Sequence, residues 1–443
     1  MDTARAATTL PSIAAEVVQL ARRLGADQAE AKASCDEGLA VTVRMGQLES
    51  VRRKCDCALT VTAYRDKKKG TATTSDLASK TVEEVVRKAL GIARFTEREP
   101  HFGLAEPDAM ASNVPDLELH FPWNIDLDGA TALARRAEDA ARALDARITN
   151  SEGATTFTSS GYRTYANSHG FAAGYPVSMH SLSCRIVAKE RASLERDHWY
   201  TVARSPGDLD TPENVGAEAA RRAVRRLNGR QISTRVAPVI FPAELAKGLF
   251  EHLAASLQGP AQYRRASFLT GAAGTQVLPS FLTVDEDPLI LRGLASAPFD
   301  GEGVVTRCRQ LVANGVLQGY MLSAYAARRL GLTTTGNAGG AHNLVVRATA
   351  GSLDDIIAQC RSGFVVGELL GRGVNIVTGD YSRGAAGFLV EGGEIVRPVN
   401  EVTIAGRLPE IFRGIVAVGS DADARGGVRC GSLLVEGLTV AGG

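Results

Sequence analysis

The sequence has almost no excess of charge of either sign. Its 443 residues include 50 lysines and arginines against 49 aspartates and glutamates, which gives a formal net charge of +1. A chain this close to neutrality has no global field that would attract nucleic acid or an anionic membrane surface. We therefore expect no nucleic acid and no membrane among its partners.

Long apolar runs and a regular set of cysteines are also missing. No segment reaches the roughly 18 consecutive apolar residues that a membrane-spanning helix needs, and the first residues lack the pattern of a signal peptide. The seven cysteines are odd in number and scattered, which is typical of reduced thiols in a large chain. The sequence predicts a cytoplasmic protein in which Cys55 and Cys57 are buried small residues and not metal ligands.

No complete catalytic motif is present either. The sequence contains no Gly-x-Ser-x-Gly elbow and no phosphate-binding loop ending in Gly-Lys-Ser/Thr. Its seven histidines have no spacing typical of a zinc site or of the base that activates a nucleophile. Serine hydrolase chemistry and nucleotide phosphate binding are therefore not predicted.

Hydrophobic periodicity predicts an amino-terminal region built from helices and antiparallel strands. A helix is expected from Ser12 to Leu24, alternating strands from Ala29 to Thr74, and a second helix that a capping box at Thr81 opens. The same order of helix, strands and helix recurs after an extended, proline-containing connection. This recurrence predicts an internal duplication.

From Val236 onward glycine becomes frequent and helices become fewer. The predicted fold class is α+β, with a duplicated helix and antiparallel-sheet amino-terminal region followed by a mainly β carboxy-terminal domain. The predicted divisions are a first α+β unit at 1–95, an extended connection at 96–125, a second α+β unit at 126–230 and the carboxy-terminal domain at 235–443.

One carboxy-terminal stretch concentrates polar chemistry between predicted strands. Apolar runs and glycine pairs in residues 371–406 predict β hairpins. Between the first two runs, a glycine-flanked loop carries Asp380, Tyr381, Ser382 and Arg383, which are an acid, a phenol, a hydroxyl and a guanidinium. Flanking strands would hold this loop still. It is a candidate substrate-binding loop, and a polar hairpin tip whose side chains bond their own backbone is the alternative.

Several long runs resemble the carboxy-terminal domain of the TldD/PmbA proteins, and the PmbA (TldE) branch more closely than the TldD branch. They cover most of residues 235–443. The runs are GRGVNIVTGDYSRGAAGF (371–388), GGEIVRPVNEVTIAG (392–406), SAPFDGEG (296–303), SAYAARRLG (323–331) and TGNAGG (335–340).

The resemblance points to a zinc motif that this chain lacks. In the TldD branch a helix carries His-Glu-x-x-x-His, whose histidines bind zinc and whose Glu acts as general base. A helix is predicted at 243–257, and the motif positions, counted back from a glycine that follows it, fall on Phe250, Glu251 and Ala255. Cys430 matches a cysteine that TldD-type proteins supply to the metal, and His252 adjoins the motif. The resemblance implies a degenerate site with no metal and no catalytic residue.

The resemblance implies a PmbA/TldE-type subunit of a heterodimeric metallopeptidase whose TldD-type partner holds the zinc. Its substrates would be small or unfolded peptides, including microcin-type peptide antibiotics in maturation, cleaved in a cavity that both subunits form. The chain alone could also form a homodimer. Two alternatives stay open: a self-sufficient hydrolase that uses Glu251, His252 and Cys430, and a regulatory binding protein similar to a gyrase modulator.

Overall fold

The computed structural model describes residues 2–442. Its amino-terminal region forms one six-stranded antiparallel sheet in the order β3-β2-β1-β4-β5-β6. The elements of this region are α1 (Thr3–Arg23), β1 (Gln28–Arg44), β2 (Gln47–Arg65), β3 (Lys68–Thr74), α2 (Ser79–Phe95), α3 (Leu127–Leu144), β4 (Ile148–Asn167), β5 (Ala172–Glu190), β6 (Ser193–Ala203) and α4 (Pro212–Arg225).

The predicted duplication is visible in this sheet. Each half consists of a helix, three strands and a second helix, and the halves join where β1 pairs with β4. The predicted amino-terminal architecture is therefore confirmed. Because both halves share one sheet, the division into separate units at 96–125 stays a prediction.

All four helices of this region cover one face of the sheet. Small side chains, chiefly alanines, fill the space between them, so that helices and strands approach closely. Two predicted helix starts were wrong. α1 begins at Thr3, capped by Asp2, because the buried stripe continues through Leu10 and Ala6. α2 begins at Ser79 without a side-chain cap, since the Thr81 hydroxyl donates to Asp76 instead.

The prediction of reduced thiols was wrong for one pair. Cys35 on β1 and Cys57 on β2 lie directly opposite each other in the strand pairing and form a disulfide. Cys55 is exposed, so the two neighbouring cysteines are not the buried pair that was expected. The spacing along the chain could not show this, because the partner of Cys57 is set by the register between two strands.

The carboxy-terminal region is mainly β, as predicted. A five-stranded sheet runs in the order β10-β9-β8-β11-β17, and β14 pairs with both β12 and β15 so that β12, β7, β18, β15 and β14 close into a ring. The elements are β7 (Arg235–Phe241), α5 (Ala243–Leu257), α6 (Gly259–Tyr263), β8 (Val284–Asp287), β9 (Arg309–Ala313), β10 (Val316–Leu317), α7 (Ala324–Leu330), β11 (Asn343–Val346), α8 (Leu353–Gln359), β12 (Ser362–Leu370), β13 (Val374–Asn375), β14 (Asp380–Glu391), β15 (Glu394–Arg407), α9 (Leu408–Arg413), β16 (Ile415–Val418), β17 (Val428–Arg429) and β18 (Leu433–Ala441).

A buried ionic network ties the two regions together beside α5. The Arg222 guanidinium on α4 contacts Asp197 at 3.1 Å and Glu244, at the start of α5, at 2.6 Å. Arg226 contacts Asp197 and, at 2.6 Å, Glu368 on β12. Both arginines and Asp197 are buried, and charges this far from water are stable only while each keeps its partners. The network therefore fixes the position of α5 against the amino-terminal sheet.

None of the helices within residues 2–442 has the length and hydropathy that crossing a membrane requires.

Candidate functional site

A cavity of about 190 Å³ lies between α5 and the first residues of β14. One face of α5 supplies Glu244, Lys247, Glu251 and His252, and these positions recur about every turn of the helix. The opposite wall is formed by Leu369 at the end of β12 and by Tyr381 and Arg383 of β14. The structure thus brings part of the predicted binding stretch to the helix of the degenerate zinc motif.

The predicted binding loop is the start of a strand. Residues 380–383 pair with β15, where Asp380 lies opposite Arg407 and Arg383 opposite Ile404. Alternation along the strand points Tyr381 and Arg383 to the cavity, whereas Asp380 and Ser382 are exposed. The loop was expected because glycine flanks the stretch on both sides, but only the glycine before it lies in the turn.

Burial controls the electrostatics of the cavity. Tyr381 is 2% exposed, and desolvation raises the pKa of its phenol to about 12. Desolvation lowers the pKa of His252, and the positive charge of Arg383 lowers it further. The two rings meet nearly edge to face with centroids 6.5 Å apart. His252 is therefore an uncharged imidazole at neutral pH, beside a phenol that keeps its proton.

Backbone carbonyls hold the guanidinium of Arg383 in place. Its Nη2 donates to the Leu369 carbonyl at 3.2 Å and its Nε donates to the Leu370 carbonyl at 3.4 Å. These bonds aim the guanidinium along the cavity wall without neutralising it, since carbonyl oxygens carry no net charge. Arg383 can thus still receive a carboxylate or a peptide carbonyl.

Two cavity residues were not predicted from the sequence. Glu244 accepts the bond from Arg222, and Lys247 donates to the Tyr200 hydroxyl at 3.0 Å and contacts Asp423 at 3.1 Å. The helical spacing of Glu244 and Lys247 relative to Glu251 was a signal that could have found them. Their partners come from other parts of the chain, and no sequence pattern indicates those contacts.

The residues of the degenerate zinc motif do not converge. Phe250 is 0% exposed, and its ring packs 6.4 Å from that of Phe412 in the apolar core. Ala255 is half-buried and lies outside the cavity lining. Cys430 is fully buried in the same core as Phe250, and burial, together with nearby Asp421, raises the pKa of its thiol well above the usual range.

Zinc does not fit these residues. A zinc ligand must be an imidazole, carboxylate or thiolate that reaches the ion, and the phenyl ring of Phe250 is none of these. Of the histidines in the described chain, His252 alone lines the cavity. Across residues 2–442 no three His, Cys, Asp or Glu side chains form a group that could hold a metal ion.

Three family domains match the chain in order. Residues 36–93 match the PmbA/TldA metallopeptidase domain 1, residues 121–227 match its central domain, and residues 234–442 match its C-terminal domain. The Metalloprotease PmbA of Escherichia coli O157:H7 is 45% identical over 416 residues, which cover 94% of this chain and 92% of that protein. The chain belongs to the PmbA branch of the TldD/PmbA family. It is therefore a peptidase-type protein of a metalloprotease family.

Solved structures show the same fold. A candidate modulator of DNA gyrase from Bacteroides thetaiotaomicron aligns over 99% of this chain and 100% of its own, with a TM-score of 0.92 and 24% identity. TldE from Thermococcus kodakarensis aligns over 96% of this chain and 99% of its own, with a TM-score of 0.83 and 21% identity. At these identities the likeness concerns the fold alone.

Proposed function

We propose that this PmbA-family chain is the zinc-free subunit of a heterodimeric metallopeptidase in which a TldD-type partner holds the metal. The observation that supports this is the state of α5. Phe250, at the position predicted for the first zinc-binding imidazole, lies in the apolar core, and His252 is a single imidazole beside an exposed Glu251. Catalytic zinc sites use three protein ligands. In this proposal the bond-breaking chemistry belongs to the partner.

The contribution of this chain would be to bind peptide. Arg383 presents a charged fork that suits a peptide carboxylate or main-chain carbonyl, and Tyr381 and His252 supply uncharged walls. Contacts of this kind select for an accessible backbone and not for particular side chains. Small or unfolded peptides, including microcin-type peptides in maturation, are the substrate class that we propose.

A self-sufficient hydrolase built on Glu251, His252 and Cys430 receives less support. Glu251 and His252 line the cavity, whereas the thiol of Cys430 is buried in the core and bonds the neighbouring Gly431 carbonyl at 3.1 Å. The name of the Bacteroides relative concerns DNA gyrase, and a net charge of +1 gives no specific support for direct DNA contact.

The test compares hydrolysis of a fluorogenic unstructured peptide by this chain, by a TldD-type protein from the same organism, and by their mixture. We expect turnover by the mixture and none by this chain alone. Size-exclusion chromatography of the mixture should show a heterodimer. Cleavage by this chain alone that persists after chelation would contradict the proposal, as would full activity of the partner without this chain.

A further inference from the structure

A second cavity, of about 420 Å³, lies between the amino-terminal sheet and the carboxy-terminal region. Its floor is the sheet face that carries no helices, and its other wall is made by parts of the SAPFDGEG and TGNAGG runs. The volume falls in the range of small-molecule sites, which often lie between parts of a structure. The proposed peptidase role does not use this cavity.

The strand register places two cations side by side on this floor. Lys32 on β1 lies opposite Tyr165 on β4, and Arg163 lies opposite Ser34 on β1 and Tyr175 on β5. Lys32 and Arg163 are thus diagonal neighbours on one face, a relation that separates backbone positions by about 7–8 Å. Both cations project from neighbouring positions of one face, so an anion bound there could contact both.

Polar side chains on the floor of the cavity can donate further hydrogen bonds. Within residues 2–442, Lys32 makes no ion pair, and Arg163 pairs with Asp36 through Nη1 at 2.7 Å without a bond from its Nε or Nη2. The Tyr175 hydroxyl likewise has no hydrogen bond to the described residues. Desolvation raises the pKa of this phenol, so it remains a donor at neutral pH.

The facing wall is rigid and supplies apolar surface. The Asp300 carboxylate accepts hydrogen bonds from the backbone N–H groups of Glu302, Val304 and Ala338 at 2.8–3.0 Å. The bond from Ala338 joins the two glycine-containing runs. Its carboxylate is therefore largely satisfied and is not the partner of Lys32. Phe299 packs edge to face on Tyr175, with ring centroids 5.3 Å apart.

Glycines open the remaining part of the wall. A Cβ atom at Gly339 or Gly340 would meet nothing within 4 Å, and both residues have positive φ, near +116° and +122°. An L side chain would be strained there, so the chain keeps this side of the cavity as bare backbone. A flat group can lie between this backbone and the aromatic rings.

We propose that this cavity binds a small organic carboxylate with an aromatic or branched apolar group. The carboxylate lies between Lys32 and Arg163 and accepts a bond from the Tyr175 hydroxyl, and the apolar group lies against Tyr165 and Phe299. This chemistry belongs both to a free carboxylic acid and to the carboxy terminus of a short peptide. The proposal concerns this chain alone and does not depend on a heterodimer.

Isothermal titration calorimetry on the full chain tests the proposal with three probes. These are 3-phenylpropanoate as a free acid, glycyl-phenylalanine as a peptide terminus, and 3-phenylpropanamide, which has the same shape without the charge. We expect at least one acid to bind with a Kd below about 1 mM and the amide to bind at least tenfold more weakly. Binding of the dipeptide alone would assign the site to peptide termini.

Two variants locate the binding. Lys32→Met should weaken binding of the acid about tenfold, the loss expected for one charge-assisted bond, whereas Lys88→Met, at an exposed position on α2, should leave it unchanged. Ser34→Phe should block the cavity while keeping both charges. Equal binding of acid and amide, equal Kd values for the two lysine variants, or no binding of either acid would each overturn the proposal.

Discussion

The strands of the amino-terminal sheet and of the carboxy-terminal ring differ in which of their faces are buried. Along β1 buried and less buried residues alternate, because one face meets helices and the other carries polar groups such as Lys32. Along β14 the second half is buried without alternation, because one face lies in the core of the ring and the other packs against residues of α8. Polar chemistry therefore lies on an entire face in the first region and is confined to strand ends in the second, where Arg383 lies.

The ionic network between the regions provides the strongest test of this comparison. Arg222→Met should lower the free energy of unfolding by about 3–5 kcal/mol. Glu244 would then be left without its arginine, and Asp197 would lose one of its two arginine partners. Arg221→Met, next to it on the exposed face of α4, should cost less than about 1 kcal/mol. Chemical denaturation measures both, and equal losses would show that the network does not join the regions.

A second substitution tests whether α5 faces the core as described. Phe250→His places a polar ring in a fully buried position and should cost about 3 kcal/mol in the free energy of unfolding. Ala255→His, at a half-buried position on the same helix, should cost less than about 1 kcal/mol. If zinc addition restored the stability of the double variant, the two side chains would have to converge, contrary to this packing.

The contribution of Glu302, at the junction between the regions, to the free energy of unfolding should depend on pH. Burial raises the pKa of Glu302 from 4.5 to about 7, so the folded chain holds this proton more tightly than the unfolded chain does. Its contribution is fully present below pH 4.5 and is lost as the pH rises to about 7. Glu302→Gln should therefore add on the order of 2 kcal/mol of stability at pH 8 and almost none at pH 4.5.

Thermal unfolding at both pH values measures this difference. The exposed Glu97→Gln is the matched control and should change stability equally at both pH values. A gain from Glu302→Gln that does not depend on pH would mean that the carboxyl titrates as it does in water.

The smallest expected effect is that of a substitution at Arg383, near the start of β14. Arg383→Ala should lower kcat/KM of the assembled complex for a short peptide about tenfold, since one charge-assisted contact is lost. Arg361→Ala, an exposed arginine that precedes β12, should leave kcat/KM unchanged. Heterodimer formation should be the same for both variants, and equal kinetics would reduce Arg383 to a structural residue.

Much of the architecture could be predicted because its signals are local. The α5 bounds and the repeated helix and strand order follow from hydrophobic periodicity. The Cys35–Cys57 pairing and the strand at Asp380 could not be predicted in this way. Both depend on which strand lies alongside, and a register between distant segments leaves no mark in either segment alone.

The candidate site could likewise be predicted only in part. Arg383 and Tyr381 were predicted as binding residues from their types and positions, and the structure brings them to the helix that carries Glu251 and His252. That Phe250 points away from this cavity could not be predicted, because the direction of a helical side chain depends on the surfaces against which the helix packs. The same holds for the contacts of Glu244 and Lys247.

The zinc content of the separated subunits tests the central claim most directly. The heterodimer would be purified without chelator, its subunits separated under native conditions, and the zinc in each measured by mass spectrometry. We expect about one zinc per TldD-type chain and none above background in this chain, because Phe250 and Ala255, at the predicted ligand positions, have side chains that cannot coordinate zinc. About one zinc per molecule of this chain, retained after dialysis, would contradict the account.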